Sequence, residues 1–255
     1  MKMAAHDTIS FASYFNAFPA SYWKRWTNVD EVVLRLKAKG AGRIDVYRSK
    51  PNGDSVHVEG APISSPKSWT ELEFRVPLLP FEDGGWIWFD LFTNDSPLEI
   101  DEAAWTSDVA LPPAKVVVGT TTMRPKDCVV TLQAMGEDAQ VMDVVERVVV
   151  ADQGGQKIRE TDGFDEAARR LGDKLHVIEQ ANLGGSGGFT RVMYEGMYNS
   201  DAEQIMLLDD DIALEPDSVL RANAFSRATT KPTIVGGQML NLQARSRLHT
   251  MGEVV

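Results

Sequence analysis

The chain has 255 residues, a formal net charge of -11, 43% hydrophobic and 25% charged residues, and one cysteine. That length provides for one large domain or two modest ones with a sizeable core. The acidic balance argues against a general nucleic-acid binder, which needs a basic face to release phosphate counterions, and the lone Cys128 rules out an internal disulfide and a cysteine-based zinc site.

From the N-terminus, Met1 to Ser10 lacks the continuous apolar core of a signal peptide, and no apolar run in the chain reaches membrane-span length. A cytoplasmic protein is expected, with peripheral membrane contact left open. Residues from about Asp30 to Asp108 read as β structure: Val32, Leu34, Leu36 and Ala38 alternate with Arg35 and Lys37, and Ile44 and Val46 continue the pattern. Asn52-Gly53 is a hairpin signal because both residues tolerate positive φ, and Val56 and Val58 form the return strand. Leu72, Phe74, Val76 and Leu78 alternate again, and Gly85 to Phe92 is apolar on both faces, as a central strand would be. Short strands with turn signals and no strong helix predict an all-β sandwich or barrel over residues 1–110. All six tryptophans lie in this half; core filling explains them better than an exposed sugar-stacking face.

The grammar changes after Leu111-Pro112-Pro113, a linker. Strands are predicted at Lys115–Thr121, Arg147–Asp152, Leu175–Glu179, Ile205–Leu208 and from Thr233 to Val235. Helices are predicted at Asp127–Met135 with Asp127 as N-cap, and at Phe164–Leu171, Ser186–Tyr198 and Pro216–Ala228. Repeated βαβ units over residues 111–255 mean an α/β domain with a mostly parallel, doubly wound sheet and helices on both faces. Ligands of such sheets bind beyond the carboxyl ends of the strands, and the chemistry-bearing segments all fall there.

Asp209-Asp210-Asp211 follows the fourth strand. Continued strand alternation puts Asp209 and Asp211 on one side and Asp210 on the other. Two carboxylates on one side suit a hard divalent ion, Mg²⁺ or Mn²⁺, with phosphate oxygens completing the shell; an acidic turn is the other reading. Thr120 to Asp127 joins hydroxyls, the fixed cation Arg124 and a helix N-terminus, which suits an anionic or nucleotide ligand, although from this segment alone a plain capped loop with a solvated Arg is the better reading. Asp152 can accept from a base or ribose, or close an Asx turn. Asn182-Leu183-Gly184-Gly185-Ser186-Gly187-Gly188 reads as a loop whose backbone approaches a ligand closely, but it is neither a Walker loop nor a clean dinucleotide fingerprint. Arg191, Glu215 and Asp217 are explained by a solvated helix face and helix N-termini, and His249 as a structural histidine.

A βαβ sheet with an Asp-rich end after its fourth strand resembles the nucleotide-sugar glycosyltransferases of family 2, and further segments narrow the resemblance. Phe18 to Trp26, Gly84 to Asp90, Asn182 to Phe189, Arg191 to Glu195, Asp209 to Ile212 and Val235 to Asn241 together resemble the galactan-polymerising galactofuranosyltransferases of actinobacterial cell walls. These belong to glycosyltransferase family 2 and have the GT-A fold. The resemblance runs over essentially the whole chain and marks it as the N-terminal portion of such a protein. It implies an inverting transfer from UDP-galactofuranose to a lipid-linked galactan. It implies Mn²⁺ or Mg²⁺ held by Asp209 and Asp211, with Asp210 facing the sugar or the core. Thr120, Arg124, Asp152, Asn182, Gly184 and Gly185 complete the donor side. It also implies a homo-oligomer at the inner membrane face. The catalytic base, a further metal-binding histidine and the acceptor-binding aromatics are expected beyond Val255. The GT-A domain is therefore expected to be C-terminally incomplete, with an exposed apolar sheet edge. Alternatives are another UDP-sugar transferase of family 2, a non-catalytic nucleotide-sugar or glycan-binding fragment, and a metal-dependent phosphotransferase, for which Thr120-Thr121-Thr122 is a poor match.

Overall fold

The computed structural model describes residues 1–81 and 83–250, Thr250 by its backbone only. Two compact units emerge: Met1–Leu111 with Ala228–Pro232, and Pro112–Arg227 with Thr233–Val255, of which 251–255 lie outside the described residues.

The first unit holds β1 (Lys2–Met3), β2 (Thr8–Ser10), α1 (Ala20–Trp26), β3 (Glu31–Ser49), β4 (Ser55–Pro77), β5 (Ile87–Phe92) and β6 (Leu98–Thr106). They form one six-stranded antiparallel sheet. β4 lines one side of β3 along its length. On the other side, β6 pairs with residues 33–40 of β3 and β5 with residues 43–48. Both halves of β3 feed one core, Val32, Leu34 and Leu36 from the first and Ile44 and Val46 from the second. The sheet must therefore curl, and the expected sandwich or barrel is a half-barrel. The β3–β4 register shifts at Ala38/Gly40. Gly40 has φ +128°, and a Cβ there would lie 2.3 Å from the Pro97 carbonyl oxygen, so only glycine fits.

Two expectations are corrected here. The strands are not uniformly short: β3 runs 19 residues and β4 23. Within β4, Ser64, Ser65 and Thr70 pair with Ala41, Gly40 and Ala38, while residues 66–69 have no partner on β3 and bulge at the register shift. The half also contains a helix, α1, seven residues long. The Asn52-Gly53 hairpin is present, with Gly53 at φ +89° and Lys50 N donating to Asp54 O at 2.9 Å.

The second unit follows with β7 (Val116–Thr122), α2 (Pro125–Glu137), α3 (Ala139–Val144), β8 (Val145–Asp152), α4 (Phe164–Leu171), β9 (Leu175–Glu179), α5 (Gly184–Tyr198), β10 (Gln204–Leu208), α6 (Asp217–Ala228), β11 (Met239–Leu240) and β12 (Leu248–Thr250). Four parallel strands are ordered β10-β7-β8-β9. Val116, Val118, Val148 and Val150 pack on one face with residues of α2 and α4. Val117, Val149 and Ala151 pack on the other with Val192 of α5. Gly119 makes this second contact close: a Cβ there would lie 1.9 Å from Val192 Cγ1.

Three further corrections concern this unit. Asp127 is not the N-cap of α2; Pro125 occupies the first turn, where its missing N–H costs nothing, and Arg124 precedes it. The glycine run is not a loop but the first turns of α5. Gly188 explains why: its missing Cβ would meet Thr121 Oγ1 at 1.9 Å, so close helix–sheet packing overrides poor helix propensity. Finally, Thr233–Val235 is not a fifth strand, and Ile234 is fully exposed. The short pair β11–β12 follows instead, carrying His249 on β12. At the other end of the order, β10 is apolar yet only half-buried, with Leu207 42% exposed.

Candidate functional site

Because the four strands are parallel and in register, Thr122, Asp152 and Glu179 align across β7, β8 and β9, and Leu208 pairs with Thr120. The segments leaving these strands therefore meet at one sheet edge, as the sequence pattern requires.

The aspartates do not continue β10, which ends at Leu208; Asp210 and Asp211 form a turn. Strand alternation is thus replaced by turn geometry. Asp210 bends toward β7, and its Oδ2 accepts from Thr122 Oγ1 at 2.5 Å and from Arg124 N at 3.4 Å. Thr122 Oγ1 in turn accepts from Arg124 N at 2.9 Å. Asp211 pairs with the Arg124 guanidinium at 3.0 Å, both side chains being at least half exposed. Asp209 is exposed. The turn is thereby clamped to the start of α2, with two carboxylates left facing outward. The field here is negative: burial first, then the charges of Asp210 and Asp152, push the Cys128 thiol up to about 12. Among the described residues no group of three or more His, Cys, Asp or Glu side chains converges on one point. The chain thus offers hard oxygen ligands without a closed cage, the donor set with which Mg²⁺ or Mn²⁺ keeps water and phosphate oxygens in its shell.

Thr120 Oγ1 is buried without a partner. An orphaned hydroxyl beside a strand end is a group that a ligand or water can satisfy. Asp152 takes the turn-closing of the two readings the sequence left open. It is fully buried, and its oxygens accept from Gly154 N at 3.1 Å and Ile158 N at 2.9 Å. Its carboxylate closes the loop after β8.

The neighbouring Gln153 escaped sequence reasoning. It donates to Thr121 Oγ1 at 2.9 Å and to Gly184 O at 3.0 Å, and accepts from Leu183 N at 2.8 Å. One buried amide thus ties β7 to the entry of α5. A long polar residue directly after a strand was the signal available. Asn182 accepts from Gly184 N at 2.9 Å and shapes that entry. Gly184 and Gly185 have open space where a Cβ would be. Gly184, Gly185 and Ser186 are exposed at the start of a 15-residue helix; Asn182 takes the first N–H, and the next ones lack intrahelical partners, which suits an anion.

Residues 112–253 match the family model "Glycosyltransferase like family 2", and residues 1–108 match "Galactofuranosyltransferase 2 N-terminal". The chain belongs to glycosyltransferase-like family 2. Curated relatives of this family 2 chain include galactofuranosyltransferase GlfT2 of Mycolicibacterium smegmatis, 51% identical over 258 residues, and that of Mycobacterium tuberculosis, 49% identical over 258 residues. Each match covers 100% of this chain and 40% of the relative. The chain thus corresponds to the N-terminal portion of these relatives. Among solved structures, "Family 16 Carbohydrate Binding Module-2" covers 42% of this chain and 74% of its own at 9% identity and a TM-score of 0.27, too slight a likeness to carry an argument.

Proposed function

We propose that this chain is the donor-binding portion of a GT-A galactofuranosyltransferase, which transfers galactofuranose from UDP-galactofuranose to a lipid-linked galactan with inversion. The observation that carries the reading is the clamp of the aspartate turn onto the β7–α2 junction beside the open entry of α5. Asp209 and Asp211 would hold Mn²⁺ or Mg²⁺, which when bound stabilises negative charge on the departing UDP. Arg124 holds Asp211 in place and has the planar donors to pair with a diphosphate oxygen. The N–H groups of Gly185 and Ser186, which follow the Asn182-bonded Gly184 N–H, would donate to a further phosphate oxygen. Thr122 and Arg124 N fix Asp210, so the turn need not reorganise when the donor arrives. Thr120 and Asn182 face the nucleoside side. The acceptor base is sought in the portion of the relatives that this chain does not cover. Among the described residues, no helix is long and apolar enough to cross a membrane.

Calorimetric titration of UDP, with and without Mn²⁺, tests this. Wild type is expected to bind in a metal-dependent way, and Asp209→Ala/Asp211→Ala to weaken binding by roughly a hundredfold or more, as for removal of charged ligands. A folded wild-type protein that ignores UDP in Mn²⁺ would overturn the reading. Competition by other UDP-sugars separates galactofuranose from a different donor sugar.

A further inference from the structure

The outer face of the half-barrel carries a polar row that its core does not require. Ser10, Asp90, Asp45 and Gly60 lie directly opposite one another across β2, β5, β3 and β4. Ile44 and Val46 flank Asp45 and point to the core, as Phe89 and Leu91 do beside Asp90, so both carboxylates face outward.

Like charges facing across strands repel, and the two are handled differently. Asp45 is 7% exposed and accepts two bonds from Arg43, at 2.6 and 2.8 Å, and one from His57 at 3.0 Å. Gly60 makes room for this cluster, since a Cβ there would lie 2.0 Å from Asp45 Oδ1. Asp90 has no such satisfaction: its Oδ1 is buried and without a partner. Aromatic residues border the row. Arg43 is paired across the sheet with half-buried Phe92, and half-buried Tyr47 stacks at 5.8 Å on Trp88, which is itself buried. Burial first, then the two carboxylates, raise the Tyr47 phenol, which keeps its proton as a donor.

Ligand chemistry follows from these groups. Two carboxylates repel an anion. The Arg43 guanidinium disfavours a cation, and among the described residues no three-ligand metal group exists. A neutral molecule rich in hydroxyls fits: it donates to Asp90 and to the second ring nitrogen of His57, whose Nε2 is engaged with Asp45, accepts from Arg43, and rests apolar C–H surface on the half-buried rings of Tyr47 and Phe92. We propose that this face binds a neutral glycan chain, with the Asp90 carboxylate as its central acceptor. The site lies in the first unit and does not depend on the transferase reading.

The test titrates the whole chain with four linear hexasaccharides, galactofuranosyl, arabinofuranosyl, β-1,4-glucosyl and β-1,4-xylosyl, with UDP plus Mn²⁺ titrated in parallel. At least one hexasaccharide should bind saturably. Asp90→Asn should weaken it roughly tenfold, since an acceptor charge is lost, and should leave UDP affinity unchanged. His57→Ala, at an exposed position, provides a second variant should Asp90→Asn fail to fold, and is expected to weaken binding severalfold. Absence of saturable binding to all four sugars by folded protein would overturn the proposal. So would binding that neither variant alters. UDP binding without glycan binding overturns this site alone; the reverse result overturns only the donor-site reading.

Discussion

In the half-barrel each strand commits one face to a single core, whereas in the parallel sheet β7 and β8 commit both. Val32, Leu34 and Leu36 face the core while Arg35 and Lys37 face out. In the second unit, Val116 to Val118 are all buried, alternately under α2 and α5. The consequence is where chemistry can sit. A one-sided sheet offers a whole face, here the row through Asp45 and Asp90. A two-sided sheet offers only its strand ends, where Thr122, Arg124 and Asp210 gather.

The largest expected effect breaks the curl that gives the half-barrel its single core. Gly40→Ala would place a Cβ 2.3 Å from a backbone oxygen and 3.0 Å from Leu98 Cα, at φ +128°. Backbone cannot move aside as a side chain can, so a loss of about 3 kcal/mol or more is expected. Urea unfolding followed by tryptophan fluorescence reads this unit specifically, because every tryptophan lies between Trp23 and Trp105. An unchanged midpoint would show that the sheet does not need its fold at Gly40.

The equivalent change in the parallel sheet should be smaller and repairable. Gly119→Ala meets the side chain of Val192, which is fully buried on α5. Overpacking of this kind costs about 1–3 kcal/mol. Adding Val192→Ala removes the clashing atoms, so the double variant should recover part of the loss in the helical circular-dichroism transition. Lack of recovery would place the strain in the backbone and erase the contrast with Gly40.

These two glycines also mark what was legible in the sequence. The apolar runs at β7, β8 and β10 and the helix Phe164–Leu171 were readable, because β-branched runs and charge-ordered helix ends are local signals. The glycine run at Gly184–Gly188 was not, because its helical state depends on Thr121, more than sixty residues earlier. The aspartates were readable as an acidic cluster leaving a strand end but not as a geometry. Whether a strand stops at Leu208 is decided by Thr122 and Arg124, on another segment. Gln153 was missed for the same reason: its partners Thr121 and Gly184 are distant in the chain.

A pH dependence sharpens the view of the outer face. Hydrogen bonds from Arg43, and then from His57, hold the Asp45 carboxyl below its ordinary value against the opposing effect of burial. A carboxyl depressed on folding contributes stability above its unfolded pKa, about 3.9, and loses it as pH falls through the lower folded value. The tryptophan-reported urea midpoint should therefore drop on acidification from about pH 5 to about pH 3. Asp45→Asn should lower the midpoint at neutral pH and flatten that slope. Equal acid slopes in both proteins would mean that Asp45 is not held by its neighbours.

The smallest effect is expected where the outer face looks busiest. Arg75 reaches Glu31 at 2.9 Å, Glu73 at 2.7 Å and Asp108 at 2.9 Å, and Arg35 shares Glu73 and Asp108. All of these side chains are between 39% and 55% exposed. Water and salt already solvate such groups, so the pairs replace good hydration with a comparable interaction. Arg75→Ala should leave the urea midpoint nearly unmoved, and any shift should fade in 1 M salt, where screening acts within about 3 Å. Asp45 differs from this network in one respect, its burial under Arg43 and His57, and that difference is what makes its charge count. A large, salt-resistant loss at Arg75 would reverse that ranking and would make the exposed network, rather than the buried carboxylate, the electrostatic anchor of the half-barrel.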